Sequence, residues 1–495
     1  MIRSMLQTRK ALRPPLAVLL AAAAALSACA VGPNYRRPTA PLAAGFKEAQ
    51  GWRPAAPMDH IDRGAWWSVY NDPVLDGLER RVALSNQNVA AAEAAYREAQ
   101  AITRQARASL FPTLGLTASA TRSRSGGGSV STGAGGSSGA GATLSSGARE
   151  RTVYDLGLGA SWEPDLWGRI RRTIEADRAS AQASAAEVAS ARLSAQAALA
   201  IDYFELRISD ALKRLYDQTV ADYQRTLQIA QNQFKAGVIA RADVITAQVQ
   251  LQAAQAAAAD LAVARQQYEH AIAVLVGAPP SALSIAPTSE TVPVPVAPVD
   301  LPSTLLERRP DIASAERRVA SANAQIGVAT AAYFPMLTLS ANAGTSATRI
   351  GDLFKSSTTT WSFGPSLAES LIDFGARRAR VQQARALYDQ AVASYRQTVL
   401  GAFQAVEDSL VTLRVLEQEA QLRSAAEASA RQSAQIALNQ YRAGLVDFTT
   451  VVTANQSALS TAETSLNVLR SRLVASVNLI EALGGGWTVA DLPKG

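Results

Sequence analysis

Two glycine-marked breaks, 207 residues apart, set the frame into which this chain must fold. Residues Trp162-Glu163-Pro164-Asp165-Leu166-Trp167-Gly168-Arg169 close a strand-like stretch and open a long helical segment, which breaks at Phe234-Lys235-Ala236-Gly237. The same order returns in Glu369-Ser370-Leu371-Ile372-Asp373-Phe374-Gly375-Ala376-Arg377, and its helix breaks at Tyr441-Arg442-Ala443-Gly444. Gly168 to Gly375 and Gly237 to Gly444 share the offset of 207, so a duplicated structural unit is the simplest account.

The duplicated helices are far longer than a globular core needs. Residues 169–235 would span roughly 100 Å at about 1.5 Å per residue. Leu212, Tyr216, Val220, Tyr223, Leu227, Ala230 and Phe234 recur at spacings of three and four, a continuous stripe for a partner helix. In residues 376–442, Val399, Phe403, Val406, Leu410, Leu413 and Ala420 recur with a period close to 3.5, the spacing of a coiled coil. Shorter helices are expected over 73–110, 242–276 and from 310 to the Phe334-Pro335 stop, so that two short rods stack beside one long one.

Between the helices the period changes to two. Leu114, Leu116, Ala118 and Ala120 alternate with Thr113, Gly115, Thr117, Ser119 and Thr121, predicting a strand over 113–123. A second is expected over 153–163, where Tyr154, Leu156, Leu158, Ala160 and Trp162 form the apolar set, and the repeat returns over 337–345 and 359–368. Pro365 removes a ladder donor, so the last strand is expected to bulge or pair weakly there. Residues 125–147 are almost all Gly, Ser, Ala and Thr, a loop inserted between the first two strands. All four strands oppose apolar to small polar residues. That is the pattern of a membrane barrel with a wet lumen; the lesser alternative is a soluble sheet half buried by helices.

If the sheet is membranous, its edges decide the assembly. Four strands cannot close a barrel, and open edges are not tolerated in lipid. Two copies would supply eight strands with an interior filled by side chains; three supply twelve and leave a passage. A trimer is therefore expected.

The first 28 residues have a basic start, the apolar run 16–26 and then Leu26-Ser27-Ala28-Cys29, which is a secretory signal ending in a lipobox. Cys29 is the sole cysteine and would become the acylated N-terminus, with Ala30 behind it in place of an aspartate. The formal charge of +7 owes much to this segment: it holds Arg3, Arg9, Lys10 and Arg13 and no acid, so the rest of the chain stands at +3. No concentrated basic patch supports nucleic acid as a partner. Residues 29–71 read as extended surface chain carrying Trp66-Trp67, residues 279–305 as a proline-rich linker, and 487–495 as a tail. The repeats then occupy 72–278 and 306–486.

Enzymatic chemistry finds little support. The two histidines, His60 and His270, lie in a proline-rich stretch and on a surface-like helix face. Gly126-Gly127-Gly128 and Gly484-Gly485-Gly486 lack the lysine and the strand-to-helix setting of a phosphate loop. A lipid-anchored coiled-coil stalk would explain the rods, but not the four alternating strands.

The residues together resemble a known family. Cys29 with Val31-Gly32-Pro33-Asn34-Tyr35-Arg36-Arg37-Pro38, Trp66-Trp67, Leu166-Trp167-Gly168-Arg169, Glu307-Arg308-Arg309-Pro310-Asp311-Ile312, Asp373-Phe374-Gly375 and Tyr441-Arg442-Ala443-Gly444-Leu445-Val446-Asp447-Phe448 are similar to TolC-type outer membrane factors. The likeness is to the lipoprotein branch that serves resistance-nodulation-division efflux pumps. It implies a homotrimer in the bacterial outer membrane, with a twelve-stranded β-barrel continuous with a long periplasmic α-helical barrel. A periplasmic adaptor and an inner membrane efflux pump are the implied partners. No cofactor is implied beyond the covalent lipid at Cys29.

The resemblance also assigns roles at the helix tips marked by Gly237 and Gly444, which would close the periplasmic end and meet the adaptor. Asp243 matches an acidic aperture position of the first tip, and Tyr441 a tip tyrosine of the second. Nine residues after Gly444, where relatives carry an aspartate, this chain has Thr453, and position 450 is also threonine (Thr450). Asp447 could supply an acidic ring one turn lower, or could serve only as a helix N-cap.

Overall fold

The computed structural model describes residues 30–41, 45–49, 65–125, 149–288, 293–295 and 309–485. The signal segment, Cys29, His60, most of the Gly/Ser-rich stretch, Glu307-Arg308 and the C-terminal tail lie outside these residues.

Element lengths recur in order. Helices α1 (Pro73–Ser85) and α2 (Gln87–Ala108) precede strands β1 (Thr113–Ser125) and β2 (Arg149–Trp162), then α3 (Arg169–Lys235) and α4 (Arg241–Leu275). Helix α5 (Pro310–Ala331), strands β3 (Met336–Ala347) and β4 (Thr359–Ala368), and helices α6 (Ala376–Arg442) and α7 (Phe448–Ala482) follow. Helices α3 and α6 each have 67 residues, α4 and α7 each have 35, and α2 and α5 each have 22. No described helix is long and apolar enough to cross a membrane.

The single helix expected over 73–110 is two helices. Asn86 interrupts it: its Oδ1 accepts from the backbone N–H of Asn88 at 2.9 Å and of Val89 at 3.1 Å, and its Nδ2 donates to the Leu275 carbonyl at 2.8 Å. An asparagine that finds such partners competes with helix continuation and starts a new one.

The chain divides into two compact units. Of the described residues, the first comprises those up to Tyr35 and those within Ala101–Arg178 and Ala320–Tyr388, and holds an antiparallel sheet of order β1-β2-β3-β4. Leu339 pairs with Pro365 in an unbroken register that runs from Met336↔Ala368 to Thr345↔Thr359, so the expected bulge is absent. Pro365 has no N–H to donate, so it can remove one ladder bond there without shifting the register. Residues 31–34 strap onto the same unit. The Val31 N–H donates to the Trp167 carbonyl at 3.1 Å, and Arg172 donates to the carbonyls of Val31 and Gly32 and to Asn34 Oδ1. Gly32, at φ +102°, approaches Gly327 so closely that a Cβ on it would lie 2.4 Å from the Gly327 Cα.

The second unit comprises Arg36–Gln100, Ala179–Val319 and Asp389–Gly495. Its main core joins Trp66, Tyr70, Leu75 and Val82 to Leu199, Phe204, Ile272 and Leu473. Here Trp66–Tyr70 forms a short 3-10 helix with Trp66, Trp67 and Tyr70 buried, not the surface chain expected, because three aromatic side chains within five residues bury more apolar area than an extended strap could hide. Asp72 caps α1 by accepting from the N–H groups of Val74 (2.9 Å) and Leu75 (3.2 Å), and also accepts from the Tyr203 hydroxyl. Arg207 donates to that hydroxyl and to the Ala286 carbonyl, each at 2.9 Å, while Glu269 accepts from the Ile285 N–H at 3.1 Å. The segment between the repeats is thus tied down at residues 285 and 286.

Candidate functional site

Over its central rows the sheet is apolar on one side and small and polar on the other. Register alignment places Leu116, Leu158, Ala343 and Trp361 in one cross-strand row, and Leu114, Ala160, Ala341 and Phe363 in the next. On the opposite face the rows read Thr113, Ser161, Ser340, Gly364 and Gly115, Gly159, Asn342, Ser362. Among the described residues the middle of the apolar face is uncovered: Leu116 is 72% exposed, Trp361 80% and Phe363 72%. A soluble sheet would cover such a face with helices, because contiguous exposed apolar surface of this extent marks contact with membrane or partner. The β1 and β4 edges are open as well.

The helix breaks are two copies of one motif. Gly237 and Gly444 both take φ +72°. The Gly237 N–H bonds the Phe234 carbonyl and the Val238 N–H the Gln233 carbonyl, both at 2.9 Å; Gly444 and Leu445 repeat this with Tyr441 and Gln440 at 3.0 and 2.9 Å. Such left-handed caps satisfy the last carbonyls of a helix and favour glycine, which carries no Cβ to clash. Val238 and Leu445, the residues that follow, are 70% and 73% exposed.

A small core holds the two tips together. Ala230 and Ala247 of the first tip pack with Tyr441, Phe448 and Val451 of the second. The Tyr441 and Phe448 rings lie 5.4 Å apart, and the Tyr441 hydroxyl donates to Gln233 Oε1 at 2.6 Å. Burial, and then the negative charge of Asp243, raise the Tyr441 pKa above its ordinary value, so its phenol stays a neutral donor. Gln233 and the tyrosine's packing were not among the candidates read from sequence; only the apolar stripe on α3 hinted at a partner there. That stripe stops short of its end, since Phe234 is exposed.

The acidic candidates sit differently from one another. Asp243 is half-buried in the first turn of α4, and the 207-residue offset makes Thr450 its counterpart on α7. Asp447 occupies the N-cap backbone position of α7, at φ −75° and ψ 157°, but its side chain makes no capping hydrogen bond. Its counterpart Ala240 holds the same conformation, at φ −75° and ψ 155°. Among the described residues no ion pair joins Asp447 to Arg442 or Arg241. Thr453 turns its hydroxyl back to the Thr449 carbonyl at 2.9 Å and is exposed. The described residues hold no cluster of three metal-ligating side chains.

Comparison with known proteins identifies the architecture. The family model of outer membrane efflux proteins matches residues 79–278 and 301–485. The chain belongs to the outer membrane efflux protein family. Its relatives include the pyoverdine export outer membrane protein OpmQ of Pseudomonas aeruginosa, 31% identical over 475 residues that cover 95% of this chain and 96% of that protein. The toluene efflux pump outer membrane protein TtgC of Pseudomonas putida is 29% identical over 465 residues, 93% of each chain. Among solved structures, the outer-membrane channel OprN superposes with a TM-score of 0.82 at 30% identity, covering 93% of this chain and 100% of that one. The chain is thus an outer membrane efflux channel, a transport protein and not an enzyme.

Proposed function

We propose that three copies of this chain form the exit duct of a tripartite efflux system, with a twelve-stranded barrel in the outer membrane and helix tips that meet a periplasmic adaptor, itself coupled to an inner membrane pump. The carrying observation is the sheet: one face apolar and bare, the other lined by Ser, Thr, Gly and Asn, and both edges open. In lipid such edges must pair, and in a ring the polar face becomes the lumen. Acylation at Cys29 fits the position of its neighbour, because Ala30 packs against Gly168, close after the end of β2. The tips would close the periplasmic mouth, with Asp243 and Asp447 as its acidic groups. Cargo selection falls to the pump: TtgC is named for toluene and OpmQ for pyoverdine, although both align with the same chain throughout. Purified protein in a planar bilayer should give discrete conductance steps and run as a trimer by native mass. A silent bilayer from a well-formed oligomer would favour the coiled-coil stalk instead.

A further inference from the structure

The two halves of the sheet are related by fixed shifts, and those shifts specify a seam that one chain cannot make. Helix α2 and strand β1 map onto α5 and β3 by 223 residues, as Gln87 to Pro310 and Thr113 to Met336 show, while β2 and α3 map onto β4 and α6 by 207. The shifts can be checked within the chain. Applied to Thr113↔Ser161, the first pair of the β1/β2 ladder, they give Met336↔Ala368, which is the first pair of the β3/β4 ladder.

The same operation on the β2/β3 seam moves β2 forward to β4 and β3 back to β1. Within one chain these are opposite edges of the sheet, so the β1 reached belongs to a second copy. Gly159↔Asn342 becomes Ser366↔Ser119, and Ala160↔Ala341 becomes Leu367↔Ala118. Facing is preserved, since Leu367 and Ala118 both belong to the apolar face and both serines to the polar one. A slip by one residue would invert every side chain.

An independent pair of residues meets at the same seam. Trp167 stacks on Phe334 at 4.9 Å with 22° between the ring planes. The shifts carry Trp167 to Phe374 and Phe334 to Phe111. In a single chain these two rings have no such partner: Phe374 is 99% exposed and Phe111 69%. Phe374 also holds φ at +50°, a conformation that a bulky side chain rarely adopts. An exposed aromatic ring held in that conformation fits a contact completed by another molecule.

We propose that β4 of one copy pairs antiparallel with β1 of the next in the register Ser366↔Ser119, and that Phe374 stacks there on Phe111 of the partner subunit. This deepens the oligomeric reading above and rests on it. Cysteine scanning tests it in the full-length, membrane-inserted protein. Ser366→Cys is combined in turn with Thr117→Cys, Ser119→Cys and Thr121→Cys and treated with a short thiol cross-linker, with each single variant as the control for links through Cys29. Directly opposed Cβ atoms lie about 5 Å apart and diagonal ones about 7–8 Å. Cross-linked dimer and trimer should therefore be several-fold more abundant with Ser119→Cys than with either neighbour. A maximum at position 117 or 121 in an intact trimer overturns the register alone, whereas a monomer by native mass overturns the oligomer as well. Phe374→Ala should lower the temperature at which the trimer dissociates, and Phe374→Trp should retain it. A trimer that is equally heat-resistant with alanine removes the aromatic contact from the proposal.

Discussion

The Tyr441 hydroxyl donates to Gln233 Oε1 at 2.6 Å, tying the end of the second long helix to the end of the first. The two residues are 208 apart in the chain, and their bond is part of what makes the two tips one packed body. A partly buried hydrogen bond of this kind contributes about 1 kcal/mol net. Tyr441→Phe keeps the ring against Phe448 and loses only the bond. Exchange of the Gly444 and Leu445 amides should then accelerate about fivefold, as read by hydrogen–deuterium exchange, because local opening needs that much less free energy. Unchanged exchange would mean that ring packing alone holds the tip.

Asp447 offers a clean test of the aperture. Ala240, its counterpart, takes the same backbone conformation without a side-chain cap, so Asp447→Ala should leave α7 and the trimer intact. In the proposed trimeric mouth, three such carboxylates, if bonded to arginines of neighbouring copies, would each contribute on the order of 1 kcal/mol or more. Single-channel conductance of Asp447→Ala in a bilayer is therefore expected to rise, and that of Thr453→Asp to fall. Equal conductance for wild type and Asp447→Ala would reduce the residue to a helix-start position, leaving closure to the apolar packing of Leu445, Val446 and Phe448.

Glu79 should make the protein less stable as pH rises. It is fully buried on α1, neither of its carboxylate oxygens has a hydrogen-bond partner, and its pKa is pushed up to about 9 by burial and then by the charge of Asp76. Between the unfolded value near 4.5 and about 9, the folded chain keeps a proton that the unfolded chain has lost. Stability contributed by the neutral acid is thus complete below pH 4.5 and declines through that window, at about 1.4 kcal/mol per pH unit. Glu79→Gln, neutral at every pH, should raise the unfolding midpoint at pH 8 and flatten its pH dependence between 6 and 9. Parallel profiles for both proteins would show that Glu79 is ionised in the fold.

Acylation is checked by labelling. Cys29→Ser should abolish incorporation of a radioactive fatty acid, with delivery to the outer membrane falling more than assembly, because the proposed barrel would supply a second membrane attachment. Label retained on the variant would exclude the site.

The long helices were legible in the sequence because helix interiors and stops are local. Alanine, glutamine and arginine runs end at glycines whose positive φ the motif requires, and the bounds read from those signals coincide with Arg169–Lys235 and Ala376–Arg442. Strand faces were legible for the same reason, since a period of two needs only neighbours. Asn86 was not, because an asparagine within a helical pattern breaks it only when its side chain finds partners, here the Asn88 and Val89 amides and the distant Leu275 carbonyl.

What the sequence determined by itself is the duplication, the length of its rods and the two-faced chemistry of its strands, all of which follow from spacing along the chain. Tertiary structure alone decided which strand residues pair, that Trp66 and Trp67 are core and not surface, that Glu79 is sealed from water, and that Tyr441 reaches Gln233. Each of these depends on residues brought together from distant parts of the chain, and burial and partner choice are properties of the packed assembly of elements, not of any one segment.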